Sequence, residues 1–541
     1  MHFLTSEQMR SWDRRAIAER GIRGLTLMNR AGTAVARVAA RLAALRGETR
    51  ILLVAGKGNN GGDAFVAARC LREDGFLAEV LMTCPPDALR GDALAAWERM
   101  RTVGVPFRSM TDAQAWQEFG ETDSRRGGVI VDGLLGTGSE GAPRGTVAAA
   151  IRWIEGARRG GAVVAIDLPS GLQADTGEPS DPVVRADITV SLAAPKAGFA
   201  NPRAWEFLGH LEVVDIGLPL ALLPKICSPA CCGGSGGPAL PDCDTAAPLQ
   251  FIGAPVVRGI LPPRGRATHK GNYGQVLVIG GSHGLVGAPA LAAMGALRGG
   301  AGLVSAAVPD DSMAVMAALA PTAMAHRIAV EQGVMTPAAL AAGIRPPRDF
   351  DVVLTGPGMS AGAATARIVN DLLQSSARRL VLDADALNVL AGQVEVLHRA
   401  GTAPSVILTP HPGEAARLLG VTVAEIQANR THAAQQLAAN SGAIVVLKGA
   451  GTLVATPDGG VHLNLTGNPG MATGGTGDVL AGLIAGLWAQ GIAPLDAARL
   501  GVYLHGVAGD LAAWQAGETA LTADDLGRFL GPAFRWLDAL A

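Results

Sequence analysis

The chain has 541 residues, 49% of them hydrophobic and 17% charged, with 45 basic against 47 acidic side chains and a formal net charge of −2. That length holds more than two domain-sized units, the apolar content is enough for large cores, and the charge is too low for a disordered chain. An even balance gives no sign of a nucleic-acid partner, the start MHFLTSEQMRSWDRR does not read as a secretory signal, and the longest uncharged apolar stretch, Val479 to Leu495, is broken by Gln490 and Pro494, so a soluble cytoplasmic protein with no membrane span is expected.

In the first half, amphipathic helices are expected over Ser6 to Arg20 and Leu25 to Leu45. A strand over Arg50 to Ala55 then feeds GKGNNGGD and a helix from Ala64 to Asp74. Further strands are expected at Ala78 to Thr83, Val129 to Asp132, Val163 to Asp167, Ile188 to Leu192 and Leu211 to Asp215, several of them ending in glycine-rich turns (DGLLGTGSEG, DLPSG, APKAGF). Short β-rich runs alternating with Ala/Leu-rich helical runs mark an α/β layer fold, whose ligand crevice lies at the carboxyl ends of parallel strands.

GKGNNG at Gly56 to Gly61 matches a dinucleotide-type glycine loop, but a redox enzyme would also carry an acid at the end of the next strand to hold the ribose. That strand ends MTCPP, which disfavours a hydride-transfer dehydrogenase. Asn59, Asn60 and Asp63 put polar groups where backbone N–H groups converge on a helix start, which suits a phosphate or nucleotide. Asp132 and Asp167 end strands beside glycines and are read as functional carboxylates, with simple turn capping as the alternative. Asn60, Asp132 and the Ser170 hydroxyl form an oxygen set suited to a hard cation.

The stretch CSPACCGGSGGPALPDC lies in a linker placed at residues 225–250, which separates a domain over 1–224 from one over 251–541. Its Cys227, Cys231, Cys232 and Cys243 lack paired CxxC spacing and are read as incidental thiols, not a zinc site. Cys70 and Cys84 read as small core residues. Only five of the 45 basic residues are lysine, namely Lys57, Lys196, Lys225, Lys270 and Lys448, so each invites a chemical question.

In the second half, strands are expected at Gln275 to Ile279, Leu303 to Val308, Val352 to Thr355, Leu380 to Asp383, Val406 to Thr409 and Ile444 to Lys448. The loops GGSHG, GPGMS, DADALN, TPHPGE and KGAGT follow them, and GNPGMATGGTGD precedes an apolar helix over Val479 to Trp488. No G-x-x-x-x-G-K-[ST] loop is present. GGTGD, Gly474 to Asp478, reads as an anion pocket at a helix start. Asp478 beside a bound phosphate then accepts the proton of an attacking hydroxyl, with a plain N-cap as the bland alternative. The Gly482 to Gly486 spacing reads as close packing of a buried helix.

NNGGD, DGLLGTG, DLPSG and APKAGF in the first half, with HKGNYG, GPG, DADALN, LTPHPGE, VLKGAGT and GNPGMATGGTGDVLAG in the second, closely resemble the bifunctional NAD(P)H-hydrate repair enzyme family. In that family an NAD(P)HX epimerase is fused to an ADP-dependent NAD(P)HX dehydratase. The resemblance implies an α/β fold with a Rossmann-like three-layer N-terminal domain and a ribokinase-like C-terminal domain. For the epimerase it implies hydrated-cofactor contacts at Asn59, Asn60, Gly61, Gly62, Asp63, Gly136, Thr137, Gly138, Ser139, Glu140, Gly141, Ala142 and Asp167, and potassium at Asn60, Asp132 and Ser170. For the dehydratase it implies hydrated-cofactor contacts at Ala288, Gly358, His411 and Asp478, and ADP contacts at Lys448, Gly449, Ala450, Gly451, Thr452 and Gly477. Asp478 and Asp167 are the implied catalytic residues, Mg2+ accompanies ADP, NADHX or NADPHX is the substrate, and a homo-oligomer is expected. Ser360 departs from the family, which usually has glycine there. A vitamin or sugar kinase of the ribokinase-like group stays open as the other enzyme reading, and a nucleotide-binding module as the non-enzymatic one for the first half.

Overall fold

The computed structural model describes residues 1–122, 128–139, 141–224, 249–375, 377–397 and 405–539. Glu140 and the linker up to residue 248, with its four cysteines, lie outside the described residues. The chain forms two compact units.

The first unit opens with α1 (Ser6–Arg20) and α2 (Gly24–Arg46), followed by β1 (Arg50–Ala55) and α3 (Asn59–Glu73). The sheet continues with β2 (Leu77–Met82), β3 (Phe107–Ser109), β4 (Val129–Gly133), β5 (Ala162–Ile166), β6 (Ile188–Leu192) and β7 (His210–Val214). All pairings are parallel, in the order β3-β2-β1-β4-β5-β6-β7. Burial on both faces explains why the inner strands read as unbroken apolar runs: Ile51 to Ala55 and Val163 to Ile166 are buried throughout. The order reverses between β1 and β4, and at such a switch point the loops diverge and leave a crevice. The helix after β1 starts at Asn59, five residues before the expected Ala64, because the NNGG residues themselves form its first turn.

The second unit holds β8 (Gln250–Phe251), β9 (Gln275–Ile279), β10 (Leu303–Pro309) and β11 (Met324–Ile328), then a small ribbon of β12 (Val330–Glu331) and β13 (Val334–Met335). After these come β14 (Val352–Thr355), β15 (Arg379–Leu382), β16 (Ser405–Leu408), β17 (Ile444–Leu447), β18 (Thr452–Ala455) and β19 (Val461–Asn464). The ten-stranded sheet runs β11-β10-β9-β14-β15-β16-β17-β18-β19-β8 and also reverses, between β9 and β14. It is parallel from β11 to β17; β17-β18-β19 is an antiparallel meander. The sequence reading missed the short strands β3, β8 and β11 and the β18–β19 hairpin, whose stability comes from neighbours more than from their own length.

The helix Thr476–Ala489 packs on Gly287–Arg298, and a Cβ at Gly482 or Gly486 would strike the carbonyl of Ala292 or Ala296. Close helix contact is therefore what that glycine spacing serves. No described helix is long and apolar enough to cross a membrane. Cys84 is buried and Cys70 half-buried.

Candidate active sites

In the first unit, a cavity of about 910 Å³ opens at the β1/β4 switch point. Asn59, Asn60, Asp63, Gly136, Thr137, Gly138, Ser139 and Asp167 all line it. Gly61 and Gly62 do not: a Cβ on Gly61 would strike the Gly56 carbonyl, and one on Gly62 would lie 2.5 Å from Met28 Cε, so both serve the packing of α3. Gly141 and Ala142 are exposed and do not line the cavity.

Asp132 and Ser170 lie beneath the cavity floor, both with no exposure. The Asp132 carboxylate accepts from the Ser170 amide (2.8 Å), the Ser170 hydroxyl (2.7 Å) and the Leu134 amide (3.2 Å). Asn60 bridges floor and cavity: its Nδ2 donates to the carbonyls of Leu135 (3.0 Å) and Ile166 (3.2 Å), and its Oδ1 has no hydrogen-bond partner among the described residues. Burial pushes the Asp132 carboxyl up to about 6, against the pull of the Ser170 hydroxyl and amide.

Asp167 sits just past β5 with φ 66°, a left-handed conformation that costs a non-glycine residue about 1–3 kcal/mol and tends to mark functional positions. Its Oδ1 meets the fully buried Lys196 ammonium at 2.5 Å. Lys196 Nζ is held in turn by Ser191 Oγ (3.0 Å) and the carbonyls of Ala194 (2.9 Å) and Leu192 (3.2 Å). Asp63 is 6% exposed, and burial, then repulsion from Asp167 and Asp13, raises it well above the carboxylate range. The sequence reading gave no role to Asp13 or Lys196. The scarcity of lysine pointed toward Lys196, and the helical spacing of Asp13 between Met9 and Ile17 pointed toward Asp13.

In the second unit, the loops after β15, β16 and β17 meet around Lys448. Its Nζ bonds Asp383 Oδ1 at 2.7 Å, and the same oxygen accepts from the Thr409 hydroxyl at 2.8 Å. A Cβ on Gly477 would lie 3.2 Å from that Nζ, so the GGTG turn lies directly beside the ammonium. Burial lowers the Lys448 pKa, but Asp383, Glu414 and Asp478 outweigh it and the net shift is upward. Asp478 is pushed up to about 7, first by burial and then by Asp383, with Lys448 opposing. Burial also raises Glu414 to about 7.

Asp478 is the third residue of its helix, whose N-cap is Gly475, so it is not an N-cap. His505 Nε2 lies 3.0 Å from the Thr476 carbonyl; burial drops this histidine to about 4, so it is neutral and donates there, fixing the helix start. His411 Nδ1 accepts from the Gly413 amide (2.9 Å), which leaves its proton on Nε2, 3.3 Å from Glu414 Oε1. Burial, Lys448 and Arg417 all keep His411 neutral.

Ala288 and Gly358 face one another across the switch point: a Cβ on Gly358 would be 3.4 Å from that of Ala288. Ser360 has φ 64°, which accounts for glycine being usual there; its amide donates to Asp385 Oδ2 (2.9 Å) and its hydroxyl meets that of Ser282 (2.9 Å). In KGAGT the Thr452 hydroxyl closes the turn onto the Gly449 carbonyl (2.9 Å), while Arg430 Nη2 gathers the carbonyls of Leu447, Lys448 and Gly451, each at 3.3 Å. Asp383 and Arg430 were missed because their partners are far away in the chain, and Glu414 because its contact with His411 reads as an ordinary helix cap.

Each unit thus gathers carboxylates, a lysine and glycine turns at the carboxyl ends of its parallel strands, the arrangement of a two-site α/β enzyme. Residues 276–531 match the NAD(P)H-hydrate dehydratase family and residues 24–198 the YjeF-related protein N-terminus family. The bifunctional NAD(P)H-hydrate repair enzyme Nnr of Moorella thermoacetica is 40% identical over 549 residues, covering 99% of this chain and 97% of that protein. The Escherichia coli enzyme of the same name is 33% identical over 522 residues, covering 96% and 92%. Among solved structures, an ADP/ATP-dependent NAD(P)H-hydrate dehydratase from Bacillus subtilis, co-crystallised with ATP/Mg2+, is 32% identical with a TM-score of 0.47, covering 53% of this chain and 98% of that one. The chain belongs to the bifunctional NAD(P)H-hydrate repair enzyme family.

Proposed function

We propose that the chain returns hydrated NADH and NADPH to their working form at two sites, one epimerising the R and S hydrates and the other dehydrating the S hydrate at the expense of ADP. The observation that carries this reading is the pairing, in one chain, of a carboxylate–lysine cavity at the β1/β4 switch point with a lysine–carboxylate–glycine cluster at the ends of β15, β16 and β17.

In the dehydratase, the hydrate carries a ring hydroxyl, and hydroxide is a poor leaving group. Asp478, with an acidity matched to neutral pH, takes the proton of that hydroxyl as its oxygen attacks the terminal phosphorus of ADP. Lys448 and the amides of the GGTG turn offset the charge on the transferring phosphoryl group. AMP leaves; the phosphate ester is then expelled by the ring nitrogen lone pair, and loss of the neighbouring carbon's proton restores the dihydropyridine. Three carboxylates, Asp383, Glu414 and Asp478, act on one ammonium, so ADP enters most favourably as its magnesium complex. Ala288, Gly358 and His411 form the hydrate side, and the KGAGT turn the nucleotide side.

In the epimerase, Asp132 fits potassium: it is a fully buried carboxylate with no ion-pair partner among the described residues, near the Oδ1 of Asn60 and the Ser170 hydroxyl. Asp132, Ser170 and Asn60 would hold the ion, which would supply a compensating positive charge beneath the cavity. The reading places the chain in the cytoplasm, acting as a homo-oligomer.

The test follows hydrated NADH by absorbance with ADP, with ATP and with neither. NADH should return only with nucleotide, with AMP and phosphate released in equal amounts when ADP is the donor. Equal recovery without nucleotide, or a persistent phosphate ester, would overturn the assignment.

A further inference from the structure

The wall of the first cavity contributed by α1 carries a carboxyl to which nothing above assigns chemistry. Met9, Asp13 and Ile17, at positions i, i+4 and i+8, form one stripe of α1 and line the cavity together. Trp12 and Ala16, next to this stripe, are buried. An aspartate on such a face sacrifices hydration and needs partners in return. Asp13 makes no hydrogen bond or ion pair with any described residue, and the same holds for the Asp63 carboxyl, which is only 6% exposed. Asp167, by contrast, is fixed to Lys196. Of the four aspartates that line the cavity, Asp167 is anchored, while Asp13 and Asp63 are unpartnered carboxyls that repel it and each other.

Epimerisation dictates what such groups do. The hydrated carbon is bonded to both the ring nitrogen and the hydroxyl, so its configuration inverts when the C–O bond breaks and re-forms on the other face. We propose that Asp13 is the catalytic acid of this step and Asp167 its base. Asp13 gives its proton to the hydroxyl oxygen; the C–O bond breaks as the nitrogen lone pair forms a C=N bond, and water is released. Water adds to the opposite face of the cationic ring, the C=N pair returns to nitrogen, and the surplus proton passes to Asp167, whose anion Lys196 had stabilised. The proton then returns to Asp13 through solvent in the open cavity, and the reverse reaction exchanges the two roles. Burial and repulsion by Asp167 raise Asp13 to about 6, against the attraction of Lys196, which keeps a fraction protonated near neutrality.

The proposal rests on the epimerase reading, and the experiment separates the two. Purified R hydrate is given to the full chain, and chromatography follows the epimer ratio above the spontaneous rate. If the wild-type chain does not accelerate interconversion, the epimerase reading fails. If it does, Asp13→Asn should lower kcat for epimerisation by about 100-fold or more with little change in KM. Asp13→Ala should regain epimerisation as sodium formate is added, which a packing role would not produce, and Asp13→Glu should keep measurable activity. Dehydration of the S hydrate with ADP checks that each variant is folded. Asp13→Asn within threefold of wild type, a change in KM alone, or folded Asp13→Ala unmoved by formate together with inactive Asp13→Glu would overturn the assignment.

Discussion

Replacing Asp478 by asparagine keeps the size of the side chain but removes the base and one negative charge from a crowded pocket. Loss of general-base help costs about 100- to 10,000-fold, so ADP-driven dehydration of both epimers should fall by that factor. Stability should move the other way. The Asp478 pKa rises from 3.8 to about 7 on folding, chiefly by burial. The unfolded chain therefore ionises first as pH rises, and the native state loses relative stability from about pH 4 through pH 7. The three-unit shift bounds the loss at about 4 kcal/mol above pH 7. Glu414 titrates in the same range and relieves part of it, so the measured gain should be below that bound. Asp478→Asn should thus exceed wild type in urea-unfolding stability at pH 8, with a smaller margin at pH 5. Wild-type dehydration should decline as pH drops below 7, where the base becomes protonated. Absorbance reports dehydration and chromatography the epimer ratio, which should be unaffected. A variant no more stable than wild type at pH 8, dehydration within tenfold, or loss of epimerisation in a folded variant would refute the reasoning.

Lys448→Met leaves the Asp383 carboxylate buried without its cation and should destabilise the chain by about 3–5 kcal/mol in denaturant titration, with Asp383→Asn restoring part of the loss in the double variant. Asp132→Ala should weaken epimerisation and abolish any rise in thermal stability on adding potassium; wild-type epimerisation and thermal stability indifferent to potassium would remove the cation from the scheme. Gly482→Ala forces a methyl group onto the Ala292 carbonyl and should cost about 1–3 kcal/mol, checked by chemical unfolding. Ser360→Val should be much less stable than Ser360→Gly, since a β-branched residue tolerates φ 64° far worse than glycine does.

Strand positions and strand-end loops were legible in the sequence because inner parallel strands are apolar throughout and the turns after them need glycine. That placed Asn60, Asp132, Asp167, Lys448 and Asp478 at the mouths of the sheets before any coordinates. Helix starts were less legible: NNGG and TGD read as loops because glycine and asparagine disfavour helix interiors, yet both form first turns, where Gly61 and Gly62 sit against the Gly56 carbonyl and Met28, and Gly477 against the Lys448 ammonium. Only the tertiary structure decided which charges meet. Lys196 reaches Asp167 across a strand, Lys448 reaches Asp383 across 65 positions, and Asp13 enters the first cavity from a helix far from the glycine motifs. Such pairings leave no local pattern, since the lateral order of the strands in each sheet sets them. The acidities follow from the same cause: burial, not residue type, brings Asp478 and Glu414 to about 7 and Asp13 to about 6.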